Sequence, residues 1–401
     1  MKIVLGNETA PKGPLDGVRV LDLSTVVSGP LCAQVLGDLG AEVIKVEAPN
    51  GDATRKMGLP DASGFTGWYL QFNRNKRGVS LDLKTDGGRE ALCRMAREVD
   101  IVIENYRPGV TERLGVDYAR LRVDNPGLIY VSINGFGSDG PYRDLPAYDS
   151  VIQGIGGFMH TQGGGGEPKL ISSIAADKAS GMTATWALLA ALYAREKNGG
   201  TGQHIEIPML DSWVAFILPD VIQDRTWRDA PEPGPAPSIH RTWETRDGHV
   251  VMMIVEDRQF HGICRALNRA DLIDDPRCAT LIDRFMNADT LFVEMEGEMR
   301  KWDTADFVAR CRQFDAPVAP ANSFGEVIND PQVVHAGLFM NVDHPDAGAL
   351  RLVKSPARFS ENPVSFRAHP PKLGEHSDTV LREFGYSEEE IAALRSEGSV
   401  H

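Results

Sequence analysis

The sequence predicts an α/β protein with a large domain built on an open parallel sheet and a smaller α+β domain. The first observation is an alternation of short strand-like runs with helical patterns through the first half of the chain. The second is the length of 401 residues, which exceeds what one core usually holds. The third is a change of composition at 229–238, where four prolines predict a stiff linker.

The first elements form a βαβ unit, which implies a parallel sheet. A strand over 18–23 is followed by a Gly29-Pro30 break, a helix over 31–39 and a second strand over 42–47. The alternation then continues along the chain, which favours an open, Rossmann-like α/β sheet. The further predicted elements are helices at 88–99, 111–113 and 182–193 and strands at 101–103, 128–133 and 204–207.

The second half of the chain predicts a separate small domain. A hairpin is expected over 243–256 around Asp247-Gly248, and 258–313 is mostly helical in pattern. Strand character returns over 342–359, and a helix is expected over 387–394. The predicted division has four parts: 15–225 as the first part of the large domain, 226–240 as a linker, 241–325 as the small domain, and 326–401 as a return linker with the C-terminal part of the large domain.

Composition and charge exclude several classes of partner. Lys and Arg total 42 against 56 Asp and Glu, so the net charge of −14 argues against nucleic acid and anionic membranes. No stretch approaches the ~20 apolar residues of a membrane helix, and 1–14 lack the pattern of a secretory signal, so the cytoplasm is the expected location. The five cysteines are an odd number without metal-site spacing, which predicts reduced structural thiols and no metal.

The familiar nucleotide and hydrolase motifs are missing. The segment Ser24–Pro30 follows the first strand, where a dinucleotide site would need G-x-G-x-x-G, so a nicotinamide-dependent dehydrogenase is disfavoured. The sequence contains no P-loop, no G-x-S-x-G elbow and no H-E-x-x-H. These absences disfavour nucleotide hydrolases, serine hydrolases and zinc proteases.

Cations and aromatic residues cluster near predicted strand ends. The run 73–77 reads Asn-Arg-Asn-Lys-Arg, and Arg107 and Arg113 follow the strand at 101–103. Such a cluster suits a phosphorylated ligand, although a solvated surface is an equal alternative from these residues alone. Tyr106 could cover a ring of the ligand, and Tyr148-Asp149 follow a glycine-rich stretch that could approach one closely.

Asp177 is a lone carboxylate at the predicted start of a helix, after the glycine-rich turn 163–166. The residue can be a helix cap or a nucleophile. Because Asp is a preferred N-cap residue, capping is the more common role for such a residue. For Asp149 the two alternatives are a residue that approaches a ligand and a helix cap.

Taken together, several segments resemble the class III coenzyme A transferase family, which includes formyl-CoA transferase, carnitine CoA-transferase and α-methylacyl-CoA racemase. Each segment is weak alone, but their order and spacing are specific, and they span nearly the whole chain. They are 17–23 (GVRVLDL), 37–47 (GDLGAEVIKVE), 75–77 (NKR), 104–109 (ENYRPG), 135–137 (GFG) and 373–376 (LGEH).

The resemblance implies a site and a mechanism. Asp177 matches the family's catalytic aspartate, which would form an acyl-aspartyl anhydride and then an aspartyl-CoA thioester. The CoA contacts would be Val27, Ser28, Asn73, Lys76, Arg77, Asn105, Tyr106 and Arg113, with Tyr148 and Asp149 as secondary residues. Val27 and Ala48 depart from the Gln and Arg of some members. CoA thioester would be a substrate, no cofactor would be tightly bound, and two chains would form an interlocked homodimer.

The sequence leaves three alternatives to CoA transfer, each of which it disfavours. A racemase of the same family is disfavoured, because the resemblance places Tyr148-Asp149 where the racemase branch has a His-Asp pair. Tyr, with a pKa of ~10, is a poor base near neutral pH. A non-catalytic acyl-CoA-binding protein is disfavoured by the presence of Asp177, and a dehydrogenase by the missing glycine motif. The expected oxyanion donors are backbone N–H groups of 163–166 or 135–137.

Overall fold

The computed structural model describes residues 12–58, 63–164, 166–229 and 240–401. These residues form two compact units. The larger unit holds the described residues up to Gln223 together with Gly337–His401, and the smaller unit holds those of Asp224–Ala336. The proline-rich part of the predicted linker, 230–239, lies outside the described residues.

A six-stranded parallel sheet organises the larger unit, in the order β3-β2-β1-β4-β5-β6. This confirms the predicted open α/β fold. The strands are β1 Arg19–Asp22, β2 Glu42–Glu47, β3 Lys76–Ser80, β4 Ile101–Glu104, β5 Ile129–Asn134 and β6 His204–Pro208. The helices are α1 Ser28–Asp38, α2 Gly67–Phe72, α3 Asp86–Ala96, α4 Val110–Leu114, α5 Tyr118–Asp124, α6 Asp149–Ile155, α7 Phe158–Gln162, α8 Ala175–Lys197 and α9 Met209–Ile217.

The two faces of the sheet bury alternate residues of each strand, as the period of two requires. Val20 and Ile101 face one core, in which α1, α8 and α9 pack. Leu21 and Val102 face the other, which α3 and the C-terminal helices cover. The long helix α8 therefore lies directly against the sheet, and its N-terminal end is fixed beside that of α1.

The smaller unit has a three-stranded antiparallel sheet, β7-β8-β9, with helices against one apolar core. The predicted hairpin is present, with Glu244 paired to His249 across the turn. The strands are β7 Thr242–Glu244, β8 His249–Met252 and β9 Val318–Pro320. The helices are α10 Asp257–Ala266, α11 Leu281–Met286, α12 Ala288–Met299, α13 Thr304–Gln313, α14 Phe324–Val327 and α15 Pro331–Ala336.

The chain returns to the larger unit through an antiparallel hairpin, β10 Phe339–His344 and β11 Gly348–Val353. The strand character predicted up to residue 359 is wrong beyond Val353, since Pro356 has no N–H to continue a ladder. Two helices, α16 Ser377–Glu383 and α17 Glu388–Ser396, complete the fold. Within the described residues, no helix is both long enough and apolar enough to cross a bilayer.

Candidate active site

A cavity of about 220 Å³ lies at the carboxyl ends of β1, β4 and β5 in the larger unit. The strand order runs outward from β1 to β3 on one side and from β4 to β6 on the other, so the cavity marks the topological switch point. Ligands of open α/β sheets usually bind there. Five of the predicted site residues line the cavity: Ser28, Asn105, Tyr106, Tyr148 and Asp177.

Asp177 lies in the first turn of α8 at the wall of this cavity and is 9% exposed. Ser28, the first residue of α1, lies beside this carboxylate and lowers its pKa. Gly181 allows α8 to pack closely against the start of α1, because a Cβ atom at this position would lie 2.6 Å from the Ser28 carbonyl oxygen. The starts of two helices, with their partial positive charge, therefore lie beside one carboxylate.

Asp149, the first residue of α6, provides the cap of α8. Its Oδ1 accepts the backbone N–H groups of Ala176 at 2.7 Å and Asp177 at 3.1 Å. Gln153 holds the other oxygen, with its Nε2 donating to Asp149 Oδ2 at 2.6 Å. The capping interpretation of Asp177 is therefore wrong, because a different helix supplies the acceptor and leaves the Asp177 carboxylate at the cavity.

The environment of Asp177 opposes its ionisation. Burial, followed by repulsion from Asp149, raises the pKa of Asp177 from 3.8 to about 6, although Ser28 favours the charged form. At neutral pH the carboxylate is mostly ionised but poorly solvated. This combination suits a nucleophile, because attack requires the anion and weak solvation removes a barrier to its use.

We expect the pH dependence of kcat/KM to show an acid limb with a midpoint near pH 6, because protonation would remove the anion that a nucleophilic role of Asp177 requires. Below that midpoint the rate should fall about tenfold per pH unit. The Asp149→Asn variant keeps an oxygen for the cap but removes the repulsion, so its midpoint should move to lower pH. Steady-state rates between pH 5 and 8, with folding checked by circular dichroism, test this. A flat profile down to pH 5 would contradict it.

The loop after β1 is held in a strained conformation. Val26 has φ of 68°, a region that β-branched residues rarely adopt. Its N–H donates to Asp52 Oδ1 at 3.2 Å. Thr25 and Asn105 exchange two hydrogen bonds, of 2.8 and 2.7 Å, which tie this loop to the end of β4. The surrounding contacts thus fix the backbone that leads into Ser28.

Two of the predicted CoA contacts, Lys76 and Asn73, belong to a buried polar network under this loop. Lys76 Nζ donates to Asp22 Oδ2 at 2.8 Å, to the Pro30 carbonyl at 2.9 Å and to Asn73 Oδ1 at 3.0 Å. Burial lowers the pKa of Lys76 to about 8, against the attraction of Asp22. Since Lys76 and Asn73 are almost completely buried and have protein partners, they position the loop and α1 from below.

The other predicted contacts lie in different surroundings. Val27 is fully buried at the start of α1. Arg77 pairs with Glu42 at 2.9 Å and Glu383 at 2.8 Å. Arg113, on α4, is exposed and does not line the cavity. The structure therefore brings Ser28, Asn105, Tyr106, Tyr148 and Asp177 together, places Asp149 behind Asp177, and leaves Arg77 and Arg113 outside the cavity.

Two further cations line the cavity beyond the predicted set. Arg107 follows Tyr106, and Arg143 lies in the loop between β5 and α6. Both are exposed, and within the described residues neither pairs with a carboxylate. The sequence places Arg107 in a cationic cluster. It does not identify Arg143, because the only local signal for this residue is its position after a glycine-rich stretch. Among the described residues, no group of His, Cys, Asp and Glu is arranged to hold a metal.

Comparison with known proteins identifies the family of this chain. The model of CoA-transferase family III matches residues 15–377. The chain belongs to this family. The predicted family and the predicted enzyme class are thereby confirmed, and the chain is a family III CoA-transferase.

Named relatives of this CoA-transferase cover almost its whole length. A succinate–glutarate CoA-transferase from Agrobacterium fabrum is 36% identical over 384 residues, which are 93% of this chain and 96% of the relative. A formyl-CoA:oxalate CoA-transferase from Escherichia coli O157:H7 is 34% identical over 418 residues, with 96% of this chain and 99% of the relative covered.

Solved structures show the same fold. A CAIB/BAIF family protein from Brucella suis has a TM-score of 0.81 and 33% identity over 93% of this chain and 100% of that one. An aspartate-to-alanine variant of Rv3272 from Mycobacterium tuberculosis has a TM-score of 0.82 and 31% identity, with 92% and 99% covered. The α/β architecture is thus shared along nearly the full chain.

Proposed function

We propose that this enzyme moves CoA from an acyl-CoA thioester to a free carboxylic acid through covalent intermediates on Asp177. The observation that carries the proposal is a poorly solvated carboxylate at the wall of the switch-point cavity, beside two helix starts. Ser28 lies beside it and favours its charged form, and Asp149 accepts the N–H groups of the backbone that bears it.

The proposed reaction conserves atoms and needs no water or metal. An Asp177 oxygen attacks the thioester carbonyl carbon, the C–S bond breaks, and an acyl-aspartyl anhydride and CoA thiolate form. The thiolate attacks the Asp177 carbonyl carbon, which releases the donor acid and leaves an aspartyl-CoA thioester. The acceptor carboxylate attacks that thioester to give a second anhydride. The thiolate then attacks its acyl carbonyl, which yields the new acyl-CoA and restores the Asp177 carboxylate.

Backbone donors near Asp177 are available for the developing oxyanions. Gly135 lines the cavity, whereas the N–H of Gly137 is engaged by Asn134 Oδ1 at 2.5 Å. The alternative loop is 163–166, and its residue 165 lies outside the described residues. We therefore assign the oxyanion role to the backbone N–H of Gly135, because a fixed N–H group stabilises such charge without reorganisation.

We propose that CoA enters with its thioester end in the cavity and its nucleotide outside. The volume of about 220 Å³ is below the ~300–1,000 Å³ of sites that enclose a drug-sized ligand. Ser28, Asn105 and Tyr106 would contact the reactive end. The exposed cations Arg107 and Arg113 would meet the phosphates, which guanidinium groups bind in a fork. Val27, Asn73, Lys76 and Arg77 would act by holding the backbone.

We further propose a short dicarboxylic acid as the acid substrate, with Arg143 binding the carboxylate that does not react. Two of the relatives are named for dicarboxylic acids, succinate, glutarate and oxalate. In this chain Arg143 lines the same cavity as Asp177, and within the described residues no carboxylate pairs with it. A guanidinium in that position supplies the bidentate contact that a second carboxylate needs.

The Arg143→Leu variant should raise KM for succinate or glutarate about tenfold or more, because it removes a charge-assisted hydrogen-bonded pair. KM for propionate, which lacks the second carboxylate, should stay nearly unchanged. Arg122→Leu is the matched control, since Arg122 is an exposed arginine on α5 that does not line the cavity. Equal losses for the mono- and dicarboxylic acids would contradict the assignment.

The expected homodimer stays a proposal, supported by an apolar groove of about 1,090 Å³ in the larger unit. Met182 and Trp186 of α8 line it and are 50% and 64% exposed, which is unusual for side chains of this size. Trp186→Glu should therefore give monomers in light scattering. Val123→Glu, at a 71% exposed position on α5, should leave the dimer intact. A monomeric wild-type protein would contradict the proposal.

Transfer is distinguished from racemisation by mass spectrometry of the CoA pool. The enzyme is incubated in D₂O with a donor panel of succinyl-CoA, oxalyl-CoA, acetyl-CoA and a 2-methylacyl-CoA, together with mixed carboxylic acids. New thioesters that disappear with Asp177→Ala support transfer and identify the acids. Deuterium at the α-carbon without new thioesters would instead favour the racemase.

A further inference from the structure

One loop of the active-site cavity is held by a carboxylate that lies outside the cavity. The loop 134–138 follows β5, and its residues Asn134 and Gly135 line the cavity together with Asp177. Glu206, on β6, does not line the cavity, but it accepts hydrogen bonds from this loop at two points. The proposed transfer steps do not use Glu206 directly.

The two oxygens of Glu206 contact both ends of the loop. Oε1 accepts from Asn134 Nδ2 at 2.8 Å, and Oε2 accepts from Ser138 Oγ at 3.0 Å. Asn134 is buried, and its own Oδ1 accepts the N–H of Gly137 at 2.5 Å, so one side chain connects Glu206 to the middle of the turn. Since a carboxylate only accepts hydrogen bonds, it suits a place between two donors.

The parallel pairing of β5 with β6 explains why Glu206 reaches this loop. Glu206 is paired with Ser132, and side chains two residues apart on a strand lie on the same face of the sheet. Glu206 and Asn134 therefore share one face at the carboxyl ends of neighbouring strands. Their separation is set by the ladder of the sheet, which gives the loop a rigid support.

Gly135 is also held on its other side. Its carbonyl oxygen accepts the N–H of Leu210, in the first turn of α9, at 3.1 Å. A Cβ atom at position 135 would lie 2.3 Å from Ala147 Cβ, so the backbone packs closely there. The residue thus lies between Asn134, which Glu206 holds, and a contact with α9. A backbone donor stabilises an oxyanion well only when it is fixed in this way.

We propose that Glu206 is a positioning residue for CoA transfer, which holds the N–H of Gly135 where the oxyanion develops. This inference rests on the proposed covalent mechanism at Asp177. Each attack on a carbonyl carbon in that mechanism passes through an oxyanion, so a displaced donor slows the steps. The interaction is made mainly in the transition state, so its loss should lower kcat and leave the KM for acyl-CoA nearly unchanged.

Glu206→Ala removes both contacts and should lower kcat by about tenfold to a hundredfold, near the lower range for loss of an oxyanion donor. The KM for acyl-CoA should change by less than about threefold. Glu206→Gln should restore most of kcat, because its Oε1 can accept from Asn134 and its Nε2 can donate to the Ser138 hydroxyl. Glu390→Ala is the matched control, since Glu390 is exposed and accepts the Ser387 N–H at 2.7 Å, but does not line the cavity.

Hydrogen exchange followed by mass spectrometry reports the loop without relying on activity. Peptides that cover 133–140 should exchange faster in Glu206→Ala than in the wild type, Glu206→Gln and Glu390→Ala. Ser138→Ala removes one of the two contacts at an exposed position. It should lower kcat about threefold, and it provides the same test if circular dichroism shows that Glu206→Ala does not fold.

Asp177→Asn is assayed in parallel to separate the two proposals. If this variant stayed active, the proposed function would fail, and the inference with it. If Asp177→Asn were inactive while Glu206→Ala and Ser138→Ala kept the wild-type kcat, only the role of Glu206 would be overturned. Equal losses in Glu206→Ala and Glu206→Gln, a loss that lies mainly in KM, or unchanged exchange of 133–140 would also overturn it.

Discussion

Asp177→Asn is expected to lower kcat by about 10⁴-fold or more, because the amide keeps the shape of the side chain but removes the attacking anion. The KM for acyl-CoA should change little, since the cavity wall and the hydrogen bonds around Asp149 are preserved. Initial rates of thioester exchange, measured with a donor acyl-CoA and a free acid, give both constants.

The matched control is Asp211→Asn. Asp211 also lies in the first turn of a helix of the larger unit, α9, but it is exposed and does not line the cavity. The kcat of Asp211→Asn should stay within about twofold of the wild-type value, as expected for a surface substitution. If Asp177→Asn retained more than about a hundredth of the wild-type kcat, Asp177 would not be the nucleophile.

The substitution Asp177→Asn should also stabilise the fold at high pH. Because the folded pKa of Asp177 lies above the unfolded value of 3.8, the stability that this group contributes is present below pH 3.8 and is lost as pH rises through about 6. A rise to about 6 corresponds to roughly 3 kcal/mol. Asp177→Asn should therefore be more stable than the wild type at pH 8 and equally stable near pH 4, which urea unfolding at both pH values can check.

Lys76→Met is expected to cost about 3–5 kcal/mol of unfolding free energy, because it leaves Asp22 buried without its cation. The loss of the bonds to Asn73 and to the Pro30 carbonyl should also loosen the start of α1. Urea unfolding at neutral pH measures the loss of unfolding free energy. A reduced kcat of the folded variant would indicate that Ser28, at the start of α1, is no longer held in position.

Lys84→Met serves as the control, since Lys84 is exposed and its loss should change stability by less than about 0.5 kcal/mol. The double variant Asp22→Asn with Lys76→Met should regain part of the stability, because both buried charges are then absent. If Lys76→Met kept wild-type stability but bound acyl-CoA much more weakly, Lys76 would be a ligand contact, as the resemblance implied.

The sequence predicted the elements with strong local signals. The strand over 42–47 and the hairpin at Asp247-Gly248 appear as expected, because β-branched runs and turn residues act locally. Ends of elements were less predictable. Helix α8 begins at Ala175, before the start predicted at Asp177, since its first turn is completed by Asp149, a residue 28 positions away from Asp177.

The candidate site was predicted in kind but not in detail. Asp177, Asn105 and Tyr106 could be identified because they follow strands or begin helices, which is where α/β sites form. The burial of Lys76 could not be predicted, because a charge run is usually solvent-facing and only the tertiary fold shows Asp22 beneath it. Arg143 enters the cavity through a loop whose path no local pattern specifies.

The most direct test of the account is peptide mass spectrometry of the enzyme incubated with a donor acyl-CoA and no acceptor acid, then quenched in acid and digested. The account predicts one CoA attached as a thioester to the peptide that contains Asp177, removed by hydroxylamine and absent from Asp177→Asn. An enzyme that exchanges CoA between acids without any adduct at Asp177, or with the adduct on another residue, would contradict it.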